Sequence, residues 1–280
     1  MRALVRGLAG SFASAICSGP LAEPISLELA QWQHQAYIAL LRKLLPGGVV
    51  ELPADDRHPD CCFIEDTAVV AGHTAIITRI GAPSRQGEEA PVAAALAELG
   101  YAVTRMTPPA TLDGGDVLQL PGSTHVPVGM SKRTNAEGIS QLAKALPGRA
   151  VHAVPLPHGL HLKSLVTALD AHTLLIADTP AGRALSAILA SNPLLNGAIK
   201  GPRPSPRLQH VFVPDPICAN VLLLGDRHVV TQGSDAATEA LLDVLCAERG
   251  LQLHRLPRAT EFIKADGALT CCSILLPDGA

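Results

Sequence analysis

Apolar residues recur with helical spacing in five segments of the chain. The longest segment begins at Ser26, whose hydroxyl can cap a helix N-terminus, and places Glu28 in the first turn. The predicted helices are Ser26–Leu45, Glu88–Leu99, Asn135–Leu146, Pro180–Ala190 and Ser234–Arg249. Their starts are roughly 45 to 60 residues apart, a period that indicates a repeated supersecondary unit.

A short strand pattern follows most of these helices. Gly stands where a helix end needs a left-handed residue, and an alternating run then stops at or near Pro. The segments with this pattern are Leu45–Pro53, Leu99–Met106, Leu146–Pro155 and Arg249–Pro257. In the fourth unit, Asn196-Gly197 and the Pro-rich segment 201–206 replace a clear strand.

Paired strand patterns lie between the helices, and Ala3–Val5 is predicted as a first strand. The predicted pairs are Phe63–Val70 with Thr74–Arg79, Asp116–Leu120 with His125–Val128, and Val221–Leu224 with His228–Thr231. Five consecutive units of paired strands, helix and strand predict a pseudo-symmetric ring of α/β modules around one central cavity. An ordinary doubly wound α/β sheet is the alternative.

Composition narrows the class of protein. The length of 280 residues suits a single domain, which we predict over residues 1–280, and 48% apolar residues indicate a well-buried globular chain. A net charge of -3 without a basic stripe argues against nucleic acid as a partner. No apolar stretch approaches the ~18 residues of a membrane helix, and no glycine-rich nucleotide motif follows a strand. A small molecule is therefore the expected partner.

The cysteines bear on the cellular compartment. Seven cysteines, an odd number without a C-x-x-C pair, indicate reduced thiols and a cytoplasmic location. The first 22 residues have some features of a signal peptide, but Arg6, Gly7 and Gly10 interrupt the apolar run.

A thiol pair, Cys271-Cys272, lies in the segment Asp266–Ser273. Free cysteine is among the most buried residue types, so a core strand is the ordinary explanation. A metal site or a nucleophile is the alternative, and distant polar residues must decide between them. Adjacent residues of a strand face opposite sides, so in that case one thiol would face a cavity and the other the core.

Polar residues cluster at several predicted strand ends. Asp60, Glu65 and Asp66 precede an apolar run, Asp113 lies next to Gly114-Gly115, and His161 precedes another apolar segment. A solvated loop, a tight turn and a strand-edge histidine would explain them without any function. In a ring of modules, however, such side chains would point into the same cavity. Two arginines, at positions 85 and 133, could bind a carboxylate there or lie on the surface.

Six segments in order along the chain closely resemble the dimethylarginine dimethylaminohydrolases, members of the guanidino-group-modifying superfamily. The segments are 52–66, Thr78–Arg85, Thr111–Leu118, Ser131–Asn135, Gly159–Ser164 and Asp266–Ser273. The resemblance implies a five-bladed α/β propeller that hydrolyses Nω-methylated arginines to citrulline and methylamine or dimethylamine, without a cofactor. It implies that Cys271 is the nucleophile, that His161 is the acid and base, and that Asp113 supports the histidine. It also implies a part in nitric oxide regulation.

The resemblance also implies residues that bind the methylated arginine. Acids would contact its cationic groups, arginines its carboxylate, and a backbone carbonyl and a mobile N-terminal lid would complete the site. These positions are Asp60, Glu65, Asp66 and Asp266 for the cations, Arg85 and Arg133 for the carboxylate, the carbonyl of Ala265, and Ile16 or Cys17 in the lid. Here residues 10–19 are rich in Gly and Ser where the family usually has a leucine-bearing lid.

Two other functions remain open from the sequence. An arginine deiminase would use similar chemistry on unmethylated arginine. A non-catalytic thiol or zinc-binding protein of the same fold is the second, and Zn²⁺ on Cys271 would block the nucleophile.

Overall fold

The computed structural model describes residues 1–156, 158–192 and 208–277. Its α-helices are α1 (Leu27–Leu44), α2 (Glu89–Glu98), α3 (Ala136–Ala145), α4 (Pro180–Ser191), α5 (Ala236–Glu248) and α6 (Thr260–Lys264). Its strands are β1 (Arg2–Arg6), β2 (Val49–Leu52), β3 (Ala68–Ala71), β4 (Thr74–Ile77), β5 (Ala102–Arg105), β6 (His125–Met130), β7 (Ala150–Pro155), β8 (Val166–Ala168), β9 (Thr173–Ala177), β10 (Gln209–Val213), β11 (Leu222–Leu224), β12 (His228–Gln232), β13 (Gln252–Leu256) and β14 (Ile274–Leu276).

The strands form five small sheets that repeat one topology. The strand orders are β14-β1-β2, β3-β4-β5, β6-β7, β8-β9-β10 and β11-β12-β13. In each sheet a strand leads through a helix to a parallel neighbour. An antiparallel strand precedes this pair in three sheets, and in the β14-β1-β2 sheet the antiparallel strand is the C-terminal β14. In the β6-β7 sheet one bridge, between Val117 and Val128, replaces the antiparallel strand. The five predicted units are therefore confirmed.

Both ends of the chain build the first unit. The C-terminal strand β14 pairs antiparallel with β1, with Arg2 opposite Leu276 and Leu4 opposite Ile274. The predicted first strand at Ala3–Val5 is confirmed within β1. This pairing joins the last segment of the chain, which carries Cys271, to the first.

The helices begin where the local sequence supplies a cap. Ser26 accepts a hydrogen bond from the backbone N–H of Leu29, and Asn135 accepts one from Gly138. The five predicted helices are confirmed with ends within two residues of the prediction. The short helix α6 is an additional element that the apolar pattern did not indicate. No helix in the described ranges is both long and apolar enough to cross a bilayer.

Two predicted strands are wrong where they carry acidic residues. The first half of Phe63–Val70 is a 3₁₀ turn, Ile64–Thr67, and Asp116–Leu120 contains the single bridge instead of a strand. In these segments a side-chain carboxylate takes the place of a backbone carbonyl as hydrogen-bond acceptor, since Asp66 accepts from the backbone N–H of Gly115. A turn allows this hydrogen bond because the N–H does not enter a strand ladder.

The C-terminal thiol pair also lies in a turn. Residues Thr270–Cys272 form a 3₁₀ turn and the strand begins at Ile274, so the predicted core strand at the cysteines is wrong. In the fourth unit, β10 supplies the strand that the sequence pattern missed. Asn196-Gly197 and segment 201–206 lie outside the described residues.

Candidate active site

A small pocket contains most of the predicted site residues, and we call it the Cys271 pocket. It has a volume of about 40 Å³. Its lining residues are Ile16, Ser18, Asp60, Phe63, Asp66, Arg85, Arg133, Leu160, His161, Ala265, Asp266, Gly267 and Cys271. These residues come from the N-terminal loop and from turns at the ends of several units, which the fold brings together in one pocket.

The two adjacent thiols have different surroundings. Cys271 is partly buried and faces the pocket, whereas Cys272 is 4% exposed and packs in an apolar cluster. Burial, together with the nearby carboxylates of Glu65 and Asp66, raises the pKa of Cys271 to about 12. The free protein therefore has a neutral Cys271 thiol at neutral pH.

His161 is buried next to two carboxylates. Its Nε2 lies 2.9 Å from Oδ2 of Asp113 and 3.9 Å from Oδ1 of Asp66. Burial by itself would lower the pKa of His161, but Asp66, Asp113 and Asp116 outweigh it and raise the pKa to about 9. A Cβ atom on residue 115 would lie 2.6 Å from Nδ1 of His161, so only glycine at position 115 leaves room for the imidazole ring. At neutral pH the imidazole is protonated and can donate a proton.

Asp113 is fully buried and fixed from two sides. Its Oδ1 accepts from the N–H of Gly81 at 2.7 Å, and its own N–H donates to Thr134. Oδ2 is left facing His161 and, at 3.9 Å, the guanidinium of Arg133. This arrangement fits the predicted role of Asp113 in orienting the imidazole.

The two predicted arginines differ in their partners. Arg85 donates four of its five N–H groups to Asp66, Glu88 and the carbonyl of Phe63. Burial by itself would raise the pKa of Asp66, but His161 and Arg85 lower it to about 2. Arg133 has a 17% exposed side chain against 6% for Arg85. Arg133 is therefore the better placed of the two to meet a substrate carboxylate.

The N-terminal lid, residues 10–19, is tied to two of the predicted acids. The N–H of Ile16 donates to Asp60, at 3.1 and 3.3 Å, and Ser18 donates through its N–H and its hydroxyl to Oδ2 of Asp266, both at 2.6 Å. Burial raises the pKa of Asp60. Ile16 lines the pocket, whereas Cys17 donates to the carbonyl of Ala15 within the lid. The lid thus covers the pocket in this conformation.

Glu65 does not line the Cys271 pocket. It accepts from Lys163 Nζ at 2.5 Å and from Thr270 Oγ1 at 3.1 Å. It lines a second cavity of about 670 Å³, which we call the large cavity. Its predicted contact with substrate cations is therefore not visible here, although its charge contributes to the raised pKa of Cys271.

Several residues that support the site were missed from the sequence. Asp116 accepts from the hydroxyls of Ser131 and Thr134 and from the N–H of Leu162, and it thereby joins the turns that carry Arg133 and His161. Its apolar neighbours suggested a strand. The Gly-Gly-Asp turn was the one signal available for it.

Three ligand-type groups meet in the described residues: those of Asp66, Asp113 and His161, within 4.8 Å of one another. Each is already hydrogen-bonded or paired within the protein, which favours an acid–base cluster over a metal site. Zinc on Cys271 stays a prediction from the sequence.

Comparison with known proteins decides the family. A family model described as arginine deiminase matches residues 56–190. A dimethylarginine dimethylaminohydrolase from Streptomyces coelicolor is 38% identical over 277 residues, which are 98% of this chain and 96% of that protein. The chain belongs to the dimethylarginine dimethylaminohydrolase family.

Further relatives of this family agree in sequence and in structure. A dimethylarginine dimethylaminohydrolase from Pseudomonas aeruginosa is 34% identical over 177 residues, 62% of this chain and 68% of that protein. The solved structure of a mutant of the Pseudomonas aeruginosa enzyme, complexed with citrulline, has a TM-score of 0.82 at 27% identity and covers 98% of each chain. The predicted α/β propeller fold is confirmed by this likeness.

Proposed function

We propose that this protein hydrolyses Nω-methylated arginines, asymmetric dimethylarginine and monomethylarginine, to citrulline and dimethylamine or methylamine. The observation that carries the proposal is the buried His161, placed between Asp113 and Asp66 in the pocket that also contains the Cys271 thiol. Membership of the dimethylarginine dimethylaminohydrolase family supports the same reaction. We place it in one catalytic domain, residues 1–280, since its site uses residues from both ends of the chain.

Substrate binding would bring a cation to an acidic pocket. Asp60, Asp66 and Asp266 line the pocket, and we assign them to the α-ammonium and guanidinium groups. Glu65, held by Lys163 and Thr270 outside this pocket, would act on the guanidinium through its charge alone. Arg133 would bind the substrate carboxylate, and Arg85 would act mainly by fixing Asp66. The carbonyl of Ala265 and the side chain of Ile16, which both line the pocket, would complete the contacts, and Cys17 would stay within the lid.

The bound guanidinium would also activate the nucleophile. A positive charge next to Cys271 lowers the pKa of the thiol, so its proton leaves to solvent as the substrate binds. The thiolate sulfur then forms a bond to the guanidinium carbon. His161 donates a proton to the methylated nitrogen, the carbon–nitrogen bond breaks, and neutral amine departs. A thiouronium on Cys271 and a neutral imidazole remain.

Hydrolysis would return the site to its starting state. Neutral His161 takes a proton from water, and the resulting hydroxide attacks the thiouronium carbon. The carbon–sulfur bond breaks with its electron pair on sulfur, and transfer of the proton of the new hydroxyl to the Cys271 thiolate gives the ureido group of citrulline and the neutral thiol. His161 ends protonated, as its raised pKa requires.

The lid must move during this cycle. A volume of about 40 Å³ is far less than a methylated arginine needs. We therefore assign substrate entry to displacement of residues 10–19, which breaks the hydrogen bonds from Ile16 to Asp60 and from Ser18 to Asp266.

Product analysis tests the proposal. The reduced protein, incubated with asymmetric dimethylarginine in H₂¹⁸O, should form citrulline and dimethylamine in equal amounts, with one ¹⁸O in each citrulline. An acid quench should leave the thiouronium mass on the peptide that contains Cys271, and Cys271→Ser should form neither. Absence of citrulline from both methylated arginines, with Cys271 intact and reduced, would exclude the assignment.

Arginine deimination is the second candidate, favoured by the family model that matches residues 56–190. Ammonia release from unmethylated arginine, measured beside the methylated substrates, separates the two reactions. We place the enzyme in the cytoplasm, because all seven cysteines are free thiols. A part in nitric oxide regulation stays a prediction.

A further inference from the structure

One buried amide, that of Asn220, joins the turn of the nucleophile to the turn of the histidine. Its Nδ2 donates to the carbonyl of Lys163 at 2.9 Å and to Oγ1 of Thr270 at 3.0 Å, and its Oδ1 accepts from the N–H of Thr270 at 3.0 Å. Lys163 follows His161 by two residues, and Thr270 directly precedes Cys271. Asn220 is 1% exposed and precedes β11, in a unit that contributes no residue to the Cys271 pocket.

The same two turns are joined a second time by Glu65. Thr270 Oγ1 donates to Oε2 of Glu65, and Lys163 Nζ donates to Oε1. Glu65, Lys163, Asn220 and Thr270 therefore form a closed ring of contacts beneath Cys271. Asn220 and Thr270 are buried, whereas Glu65 and Lys163 border the large cavity.

The ring requires an amide at position 220. Two donors and one acceptor are needed, and the asparagine side chain supplies them without a net charge. An aspartate of the same shape would lose both donors and add a negative charge next to the turn of the thiol. An alanine would leave the Lys163 carbonyl and the Thr270 N–H without their partner in a buried place.

We propose that Asn220 is a positioning residue, which sets the distance and orientation between Cys271 and His161 without touching the substrate. The kcat and KM measurements that test this proposal rest on the proposed function. A shift of about 1 Å between reacting groups can cost about 100-fold in rate. Loss of the amide should therefore lower kcat more than it changes KM.

The chain offers a matched control in Gln33. Its Nε2 donates to a backbone carbonyl, that of Arg258, and to a threonine hydroxyl, that of Thr260, while its Oε1 accepts from the N–H of Glu261. Gln33 is also buried, and it lines neither the Cys271 pocket nor the large cavity. Gln33→Ala thus removes the same kinds of hydrogen bond at a place that does not connect the turn of Cys271 with the turn of His161.

The test compares Asn220→Ala, Asn220→Asp and Gln33→Ala with the parent protein. We measure kcat and KM for asymmetric dimethylarginine, the thermal midpoint, and the rate of Cys271 alkylation by iodoacetamide between pH 6 and 10, followed on its peptide by mass spectrometry. Asn220→Ala should lose about 100-fold in kcat, with KM changed by no more than about threefold. Asn220→Asp should also shift the alkylation profile to higher pH. Gln33→Ala should lower the thermal midpoint alone.

Two results would overturn the proposal. One is an Asn220→Ala variant that folds and matches Gln33→Ala in kcat and in the alkylation profile. Where Asn220→Ala fails to fold, the isosteric Asn220→Asp decides, and parent-like kcat and alkylation then refute positioning. If the parent protein forms no citrulline, the proposed function fails, while the alkylation profiles still test whether Asn220 controls the thiol.

Discussion

Replacing Asp113 with asparagine should move the proton affinity of His161. The rise in the pKa of His161 from 6.5 to about 9 corresponds to about 3 kcal/mol of preference for the imidazolium. In Asp113→Asn the amide oxygen can keep the N–H of Gly81, which leaves the NH₂ group facing Nε2. A protonated Nε2 would then meet a donor. With Asp66 still 3.9 Å away, we expect the pKa of His161 to fall by about 1 to 2 units.

The assay is NMR titration of ¹³C-labelled histidines between pH 5 and 10, with kcat measured across the same range. A pKa lowered by that amount leaves at least about half of His161 protonated at pH 7, so kcat should fall by about 5- to 50-fold at pH 9 but by no more than about twofold at pH 7. Asp243→Asn, which removes an exposed carboxylate paired with Arg255, is the control. A titration of His161 near pH 9 in Asp113→Asn, with unchanged kcat, would refute the assigned role of Asp113.

The same pKa shift affects stability. Because the folded-state pKa of His161 lies above its unfolded value, its contribution is complete below pH 6.5 and is lost as the pH rises through 9. The parent protein should therefore lose up to about 3 kcal/mol of unfolding free energy from this group between those values, and Asp113→Asn should lose less. Denaturant unfolding at pH 6 and pH 9.5 measures the difference.

Three further predictions concern the thiols, the lid and the arginines. Cys271→Ser should abolish turnover, whereas Cys272→Ala should keep most of it because that thiol packs in the core; equal losses would mean that the wrong thiol was assigned. Ser18→Ala removes the hydrogen bond from the Ser18 hydroxyl to Asp266, which is worth about 1 kcal/mol. Hydrogen exchange at the Ile16 amide, which donates to Asp60, should therefore become about fivefold faster than in the parent protein. Ser14→Ala is the control, and an unchanged exchange rate in Ser18→Ala would contradict the lid contact. Arg85→Ala should destabilise the fold by about 3 to 5 kcal/mol, because Asp66 and Glu88 lose their buried partner. Arg133→Ala should instead raise KM with little effect on stability. The reverse pattern would refute a structural role for Arg85 and a substrate-binding role for Arg133.

The helices and most strands were predictable because their signals are local. Ser26 and Asn135 cap helices through residues three positions away, and apolar periodicity marks the buried face within each segment. The acidic turns were not predictable in the same way. Phe63–Val70 has strand composition, but Asp66 accepts from Gly115, 49 residues later in the chain, and this contact favours a turn.

In the candidate site, too, local sequence features were predictable and contacts between distant residues were not. Cys271, His161 and Asp113 were identified through the resemblance of their segments to the dimethylarginine dimethylaminohydrolases, and the structure brings the first two into one pocket with Asp113 hydrogen-bonded to the histidine. Asn220 was missed, because its partners lie 50 and 57 residues away and a single Asn before an apolar strand is an ordinary sequence.

The sequence by itself determined the five-unit repeat and the helix limits, because periodicity and caps act over a few neighbouring residues. The resemblance of six segments to a known family supplied the candidate residues for guanidinium chemistry. Only the tertiary structure decided the partners. Arg85 pairs with Asp66 and Glu88 rather than facing an open site, Glu65 pairs with Lys163 across 98 residues, and Ser18 reaches Asp266 across 248. The physical reason is that buried charges require partners, and the packing of the five units supplies them from segments far apart in the chain.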